Sequence, residues 1–212
     1  NEVLKPGDSI PTERELCKVQ GVSRMTVNKA IMSLVNEGLI YRQQGKGTFV
    51  SIAKVNREIS LLKGFTEQMQ DNGVTSKTRI LSYEILEATK QCKLELKMPI
   101  DENKIIEIKR LRFGDQQPVA IETAWLPYCL FDGMSREMIE GKSLFSIFRE
   151  KYGYYPYEAK QIIEPIMLNE YDSKLLNQEN AALALTFRRT TYLENGTPIE
   201  YTKAIYRSDK YK

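Results

Sequence analysis

Two arginines in one predicted strand are the residues whose spacing points most directly to binding chemistry. In residues 104–113, Ile106, Ile108, Arg110 and Arg112 occupy every second position. Since alternate residues of a strand point to the same face, both arginines would continue a row of buried isoleucines. A buried charge is costly without an opposite charge, and two guanidinium groups at this spacing suit a phosphate or a carboxylate. The pattern therefore predicts a site for a small anion.

Two further predicted strands place carboxylates among small side chains. The residues at alternating positions are Ala120, Glu122, Ala124 and Leu126 in one strand, and Glu200, Thr202, Ala204 and Tyr206 in the other. Small side chains leave room for a ligand, while carboxylates and a tyrosine can hold its hydroxyl or amino groups. From the residues alone a second interpretation stays open, in which the arginines and glutamates pair with one another in a structural network.

An antiparallel sheet is the element that must position these residues. Residues 104–113 and 118–127 flank a GDQQ turn, and residues 182–208 form a second hairpin that turns at Asn195-Gly196. Strands are also predicted over residues 79–88 and 157–168, the latter broken by Pro165, and helices within residues 61–73, 138–153 and 169–177. An antiparallel sheet with helices to one side follows, which is the α+β class.

A different pattern occupies residues 11–50, where we predict a helix, a tight turn, a second helix and a hairpin. Thr12 and Glu15 form a capping box, Gly21 ends the first helix, Ser23 caps the second, and Gly38 ends it. Apolar residues at helical spacing predict a buried stripe in each helix. These stripes are Leu16 and Val19 in the first helix, and Val27, Ala30, Ile31, Leu34 and Val35 in the second.

The polar side of this segment is suited to DNA. Arg24, Thr26, Asn28 and Lys29 lie near the start of the second helix, the end that enters the major groove in a helix-turn-helix. The cationic tip Gly45-Lys46-Gly47 of the hairpin can follow the backbone or enter a narrow minor groove. The alternative is that a helix pair with a polar face is only a solvated surface.

The ordered motifs of residues 6–50 resemble the winged helix-turn-helix of the GntR family of bacterial transcription regulators. They are PGDSIPTEREL, GVSRMTV, AIMSLVNEGLI and GKGTFV. The resemblance implies contacts to double-stranded operator DNA from Arg14, Ser23, Arg24, Thr26, Lys46 and Gly47. Asn28, a further candidate contact, stands where family members usually carry arginine. The family's first helix precedes PGDSIP, so we expect it to be missing from this chain.

The remainder of the chain resembles the effector-binding (UTRA) domain of the HutC subfamily of GntR regulators, which has a chorismate-lyase-like α+β fold. The motifs are KRLRFGDQQPVAIETAWLP, SLFSIF and PIEYTKAIYRSDKY. By resemblance, the phosphate would be held by Arg110, Arg112, Ser143 and the backbone of Gly64, Phe65 and Thr66, and the sugar by Glu122, Glu200 and Tyr206. Phe145 stands in the same site where tyrosine is frequent.

The resemblance favours a sugar phosphate, such as N-acetylglucosamine-6-phosphate or glucosamine-6-phosphate, as in repressors of N-acetylglucosamine utilisation. Urocanate, a fatty acid, a phosphonate or trehalose-6-phosphate stay open as effectors. We expect a homodimeric repressor with a DNA-binding domain at 1–50, a linker at 51–58 and an effector domain at 59–212. Two rivals are a lyase or hydrolase that uses Glu122 and Glu200 as acid and base, and an architectural DNA binder without an effector.

Composition excludes several functions. The net charge of +3 is too small to indicate nucleic acid by itself, so local positive charge must do so. Without histidine there is no Ser-His or Cys-His pair and no His-ligated zinc. Cys17, Cys92 and Cys129 form no CxxC pair, so we expect reduced, structural cysteines and predict no catalytic residue, metal or cofactor. No apolar run or signal-peptide pattern indicates a membrane, so the expected location is the bacterial cytoplasm, on the nucleoid when DNA-bound.

Overall fold

The computed structural model describes residues 4–5, 7–36, 39–43, 45–50 and 62–211. They fall into two compact units, within residues 1–54 and 55–212. The predicted linker at 51–58 and the predicted helix stop at Gly38 lie outside the described residues. In the described part of the chain, no helix is long and apolar enough to cross a membrane.

The first unit contains the predicted helix, turn, helix and hairpin. They are α1 (Glu13–Gln20), α2 (Arg24–Asn36), β1 (Ile40–Gln43) and β2 (Gly47–Val50). The capping box is confirmed, since Glu15 N donates to Thr12 Oγ1 at 3.3 Å and Thr12 N donates to Glu15 Oε2 at 2.8 Å. Gly21 ends α1 in the left-handed region with φ 65°, a conformation that favours glycine.

The predicted apolar stripes of this unit are only partly correct. Val27 and Ile31 are buried with Ile40, and Leu16, Cys17 and Val35 pack against them. Ala30 is exposed, Leu34 is 37% exposed and Val19 is 77% exposed. The face that points to α1 and β1 is the narrow ridge at i, i+4 and i+8, so the neighbouring ridge of α2 stays outside the core.

The second unit is built on one six-stranded antiparallel sheet, as predicted, with strand order β3-β4-β5-β8-β7-β6. Its strands are β3 (Ser76–Glu87), β4 (Lys104–Gly114), β5 (Gln117–Pro127), β6 (Glu158–Met167), β7 (Leu183–Tyr192) and β8 (Pro198–Arg207). Its helices are α3 (Phe65–Asp71), α4 (Lys90–Glu95), the 3₁₀ turn Tyr128–Leu130, α5 (Arg136–Ile139), α6 (Leu144–Tyr152) and α7 (Glu170–Leu176).

Helices cover both faces of this sheet, which corrects the expectation of helices on one side. One face buries Ile106 and Ile108 of β4 against Phe145 and Phe148 of α6. The other face buries alternate positions of the same strands under two short helices, with Ile105 against Cys92 and Leu96, and Leu111 against Leu176. Because consecutive residues of β4 are apolar, both of its faces need cover, a pattern typical of a central strand.

Candidate functional site

The two predicted arginines lie on the buried face of β4 that α3 and α6 cover. Arg110 and Arg112 are almost fully buried, and Arg110 lies directly across the sheet from Glu122 of β5. Arg110 Nη2 pairs with Glu122 Oε1, and Arg112 Nη2 donates to the same oxygen at 2.9 Å. The row of isoleucines continued by arginines is therefore present, and one carboxylate bridges the two guanidinium groups.

A third buried arginine, which the sequence analysis missed, lies on β7. Arg189 Nη2 contacts Glu200 Oε2 of β8 at 3.3 Å, and Thr191 Oγ1 donates to the same oxygen at 3.0 Å. Residues 188–189 are two consecutive arginines, and strand alternation must place one of them on each face. That alternation, read together with the Glu200 row, was the signal that could have found Arg189.

These five groups carry more positive than negative charge, since three arginines share the two glutamates Glu122 and Glu200. Burial, together with the neighbouring charge of Arg112, lowers the pKa of Arg110 to about 10, although Glu122 and Glu200 act in the opposite direction. Burial works to raise the pKa of Glu122, but Arg110 and Arg112 outweigh it and hold that pKa well below its usual range. Arg110 and Glu122 are therefore both charged near neutral pH.

The pairing also leaves hydrogen-bond donors unused. Among the described residues, the buried Nε atoms of Arg110, Arg112 and Arg189 have no hydrogen-bond partner. Buried donors of this kind are rare, and leaving one unsatisfied costs about 1–3 kcal/mol. The arginines and glutamates do form the network of the alternative interpretation, but that network alone does not satisfy its own donors.

Aromatic rings from the two covering helices lie over the guanidinium groups. Arg112 Cζ is 4.8 Å from the centre of the Phe65 ring in α3, and Arg189 Cζ is 5.4 Å from the centre of the Phe145 ring in α6. Thr78 of β3 accepts a hydrogen bond from Arg112 Nη1 at 2.8 Å. The rings favour cations on their faces, so they hold the guanidinium planes in place.

The starts of α3 and α6 approach each other above the sheet. A Cβ atom added to Gly64 would lie 3.5 Å from Ser143 Oγ and 3.6 Å from Phe145 Cγ, so the predicted residues Gly64 and Ser143 are close neighbours. The Ser143 hydroxyl makes no capping hydrogen bond to α6. An ion pair between Glu67 of α3 and Arg149 of α6 joins the two helices.

Neither Gly64 nor Ser143 caps its helix through a side chain, and the N–H groups of such helix starts can face an anion favourably. Thr66 lies half-buried in the first turn of α3, beside Phe65. The predicted phosphate residues are therefore divided between a charged floor on β4 and a roof formed by the two helix starts.

The predicted sugar residues do not form one cluster. Glu122 is bound to two arginines and Glu200 to a third. Tyr206 is buried in an aromatic cluster, where its ring lies edge-on to Phe187 at 5.0 Å and to Tyr211 at 4.5 Å. Strand register sets Tyr206 apart from Glu122, because Tyr206 lies across from Ala120, which is two residues along β5 from Glu122.

A separate cavity of about 370 Å³ opens near the end of β5, away from the arginines. Its walls include Leu96, Met98, Pro127, Cys129, Gly196 and Pro198. Apolar side chains and a turn form most of this wall, and none of the predicted effector residues contributes to it. Among its described lining residues only Lys97 is charged, so the cavity offers an anion one cation where the arginine site offers three.

The predicted DNA contacts of the first unit lie on its surface. Arg14, Ser23, Arg24, Thr26, Lys46 and Gly47 are all exposed. Ser23 caps α2, since its Oγ accepts from Thr26 N at 3.2 Å. Gly47 has φ 125°, a conformation that favours glycine and sets the hairpin tip beside Lys46.

Asn28 has an intramolecular role that the sequence did not reveal. It is half-buried, and its Nδ2 donates to Glu13 Oε1 at 3.2 Å. Arg42 donates to the same oxygen at 2.7 Å, and Arg24 Nε lies 3.5 Å from Glu13 Oε2. Glu13 thus connects α1, α2 and β1, and orients the two arginines on the exposed side.

Comparison with known protein families finds two matches. The model described as bacterial regulatory proteins, gntR family, matches residues 1–50. The UTRA domain model matches residues 71–212. The two models match most of each unit described above and leave residues 51–70 between them.

Curated relatives match almost the whole chain. The HTH-type transcriptional repressor NagR of Bacillus subtilis (strain 168) is 36% identical over 100% of this chain and 86% of its own length. The mannosyl-D-glycerate transport/metabolism system repressor MngR of Escherichia coli (strain K12) is 32% identical over 99% of this chain and 86% of its own. The crystal structure of PhnF from Mycobacterium smegmatis shares the fold, with a TM-score of 0.76 and 23% identity over 99% of this chain and 91% of that one.

Proposed function

We propose, for a chain that belongs to the gntR family of bacterial regulatory proteins and carries its UTRA domain, that the buried arginine site binds a small sugar phosphate. The chain is a transcriptional repressor of the GntR/HutC type, modulated by an effector, and not an enzyme. N-acetylglucosamine-6-phosphate and glucosamine-6-phosphate are the favoured effectors. Urocanate, a fatty acid, a phosphonate and trehalose-6-phosphate are the alternatives to test against them.

The observation that carries this proposal is the set of three buried arginine Nε donors without an acceptor. An oxyanion that entered between sheet and helices would supply acceptors for these donors and balance the excess positive charge. Because Glu122 now binds the Nη2 atoms of Arg110 and Arg112, the anion would have to share these arginines with that carboxylate or replace it. Binding would therefore rearrange the network rather than fill a finished pocket.

We propose roles for the remaining site residues as well. Ser143 and the backbone of Gly64, Phe65 and Thr66 would donate to the phosphate from the roof. Phe145 would pack against the ligand, while Glu122, Glu200 and Tyr206 would bind hydroxyl or amino groups. The relative MngR is by name the repressor of a mannosyl-D-glycerate system, and this supports a sugar-derived acid as the effector class.

For DNA, we propose that α2 enters the major groove and the hairpin tip follows the backbone. Arg14, Ser23, Arg24, Thr26, Lys46 and Gly47 would contact the operator, and Asn28 would act through Glu13 by fixing the helix pair. A homodimer would present two such DNA-binding domains to a palindrome.

We assign the DNA-binding domain to 1–50, the linker to 51–58 and the effector domain to 59–212. We place the protein in the cytoplasm, on the nucleoid when it is bound to DNA.

Effector binding would shift the population between two arrangements of the dimer, of which only one matches the operator. The test is fluorescence anisotropy of labelled palindromic operator DNA, titrated with each candidate effector. Release of DNA by a sugar phosphate, accompanied by a higher unfolding temperature of the protein, supports the proposal. Operator binding that no candidate alters, with no thermal shift, would favour the architectural DNA binder instead.

A further inference from the structure

Three segments of the second unit form the cavity of about 370 Å³ near the end of β5. They are residues 96–99, which precede β4, residues 127–130, at the end of β5, and residues 195–198, where the hairpin turn leads into β8. This volume lies within the range of about 300–1,000 Å³ that is typical of small-molecule sites. The cavity is therefore large enough for a small ligand.

The walls of the cavity change from apolar to polar toward solvent. Buried Leu96, Pro127 and Pro198 form its floor. The exposed lining residues form its rim, and they are Lys97, Pro99, Cys129, Asn195 and Gly196. An apolar floor under a polar rim suits a ligand that buries an apolar part and keeps its polar group near solvent.

Lys97 occupies a position where a helix usually ends with glycine. Lys97 N donates to Leu94 O at 3.3 Å and Met98 N donates to Lys93 O at 3.0 Å, the pattern that ends many helices at a left-handed residue. Lys97 has φ 45°, a conformation that is unfavourable for a residue with a Cβ atom. The sequence therefore carries a lysine side chain at the rim although glycine would end α4 with less strain.

The ammonium group of Lys97 can bind an anion. The ion pairs among the described residues involve other cations, and Lys97 Nζ instead lies 5.6 Å from the centre of the Tyr192 ring. The face of a ring attracts a cation but does not neutralise its charge. Because Lys97 is also the only charged residue of the described lining, charge complementarity favours a ligand with one anionic group.

We propose that this cavity binds a small carboxylic acid with an apolar ring, its ring on the buried floor and its carboxylate at Lys97. The thioether of Met98 in the wall favours an aromatic ring. Glu102 lies beside Cys129 and would repel a carboxylate there, so the acid group belongs at Lys97. This inference goes beyond the proposed function and does not depend on it, because the arginine site shares no described lining residue with the cavity.

The single tryptophan of the chain, Trp125, reports on this cavity. Trp125 and Met98 pack against the same cluster, which contains Leu96 of the floor. Titration of the full chain with 4-phenylbutyrate should therefore change the Trp125 fluorescence in a saturable way. The neutral 4-phenylbutanol, of similar size, should bind about fivefold more weakly, since an exposed ion pair contributes no more than about that factor.

Cys129 provides a second measurement at the rim. It is exposed, whereas Cys92 is buried and Cys17 is half-buried. Burial and the neighbouring Glu102 raise the pKa of the Cys129 thiol, so alkylation is best followed at mildly alkaline pH. Bound 4-phenylbutyrate should slow the alkylation of Cys129, measured by peptide mass spectrometry, at the concentrations that change the fluorescence.

Three variants test which residues hold the probe. Lys97→Met removes the charge and keeps a long side chain, so the acid should lose its fivefold advantage while the alcohol binds as before. Lys90→Met is the matched control, because Lys90 is exposed on the same helix but does not line the cavity. Arg112→Ala alters the arginine site and should bind both probes like the unaltered chain.

Saturable binding with protection of Cys129, and a preference for the acid that only Lys97→Met removes, supports the inference. Either signal missing at millimolar 4-phenylbutyrate overturns the site. Equal affinity for acid and alcohol, or an equal loss in Lys97→Met and Lys90→Met, overturns the proposed ligand class. Binding that Arg112→Ala abolishes would place the probe in the arginine site and would also overturn the inference. The effector titrations with sugar phosphates are separate from all of these outcomes.

Discussion

Replacing Arg112 by alanine separates effector binding from the rest of the protein's function. Arg112 donates to Glu122 Oε1 at 2.9 Å and to Thr78 Oγ1 at 2.8 Å, and its third donor, Nε, has no partner among the described residues. If that donor meets the effector, the variant loses at least one charged hydrogen bond, or about 1.5–3 kcal/mol. Effector affinity should therefore fall roughly 10- to 150-fold.

The cost in stability should be smaller than for a fully broken buried ion pair. Removing one partner of an isolated pair costs about 3–5 kcal/mol, because the other charge is left buried and alone. Glu122 keeps Arg110 in this variant, so we expect a loss of roughly 2–3 kcal/mol in the free energy of unfolding. Thermal unfolding followed by circular dichroism establishes that the variant is folded at the assay temperature.

Arg79→Ala is the matched control for this experiment. Arg79 neighbours Thr78 on β3 but is exposed on the other face, where its guanidinium lies 5.9 Å from the Phe113 ring. Isothermal titration with the sugar phosphate and anisotropy of operator DNA should show altered induction for Arg112→Ala alone, with operator affinity unchanged. Equal induction of both variants, or an equal loss in both, would refute the reasoning.

Three further predictions use other parts of the structure. Gly64→Ala should fold normally, because Gly64 has φ −72°, yet weaken effector binding about tenfold since its Cβ would fill the space beside Ser143; calorimetric titration checks this. Because the folded pKa of Glu122 lies below 4.5, this residue stabilises the fold above that pH and loses its contribution as pH falls. In Glu122→Gln, the free energy of unfolding should therefore depend less on pH between about pH 5 and pH 2, as measured by unfolding at several pH values. Arg24→Ala should weaken operator binding and reduce its salt slope by about one unit, measured by anisotropy at several salt concentrations.

The strand alternation in the sequence was sufficient to predict the arginine row and its glutamate neighbour. Arg110, Arg112 and Glu122 share a face because period-two alternation is a property of the backbone. Arg189 was missed, although the same rule applies to it, because its partner Glu200 lies on another strand of the hairpin. Pairing across strands depends on register, which the sequence pattern does not specify by itself.

The errors in the predicted core have a similar origin. Helical spacing selected Ala30 and Leu34 as buried, but burial also depends on which neighbouring element covers each ridge. Likewise, the apolar residues at both parities of β4 were compatible with helices on both faces, and the one-sided arrangement was wrong. The role of Asn28 depends on Glu13, which lies on a different helix and becomes a neighbour only in the folded unit.

A crystal structure of the chain with glucosamine-6-phosphate would test the central claim most directly. We predict phosphate oxygens within about 3 Å of the Nε atoms of Arg110 and Arg112, with Ser143 donating from the roof and Glu122 displaced from its present pairing. A ligand bound in the cavity beside Cys129, with both arginines still held by Glu122, would contradict the account.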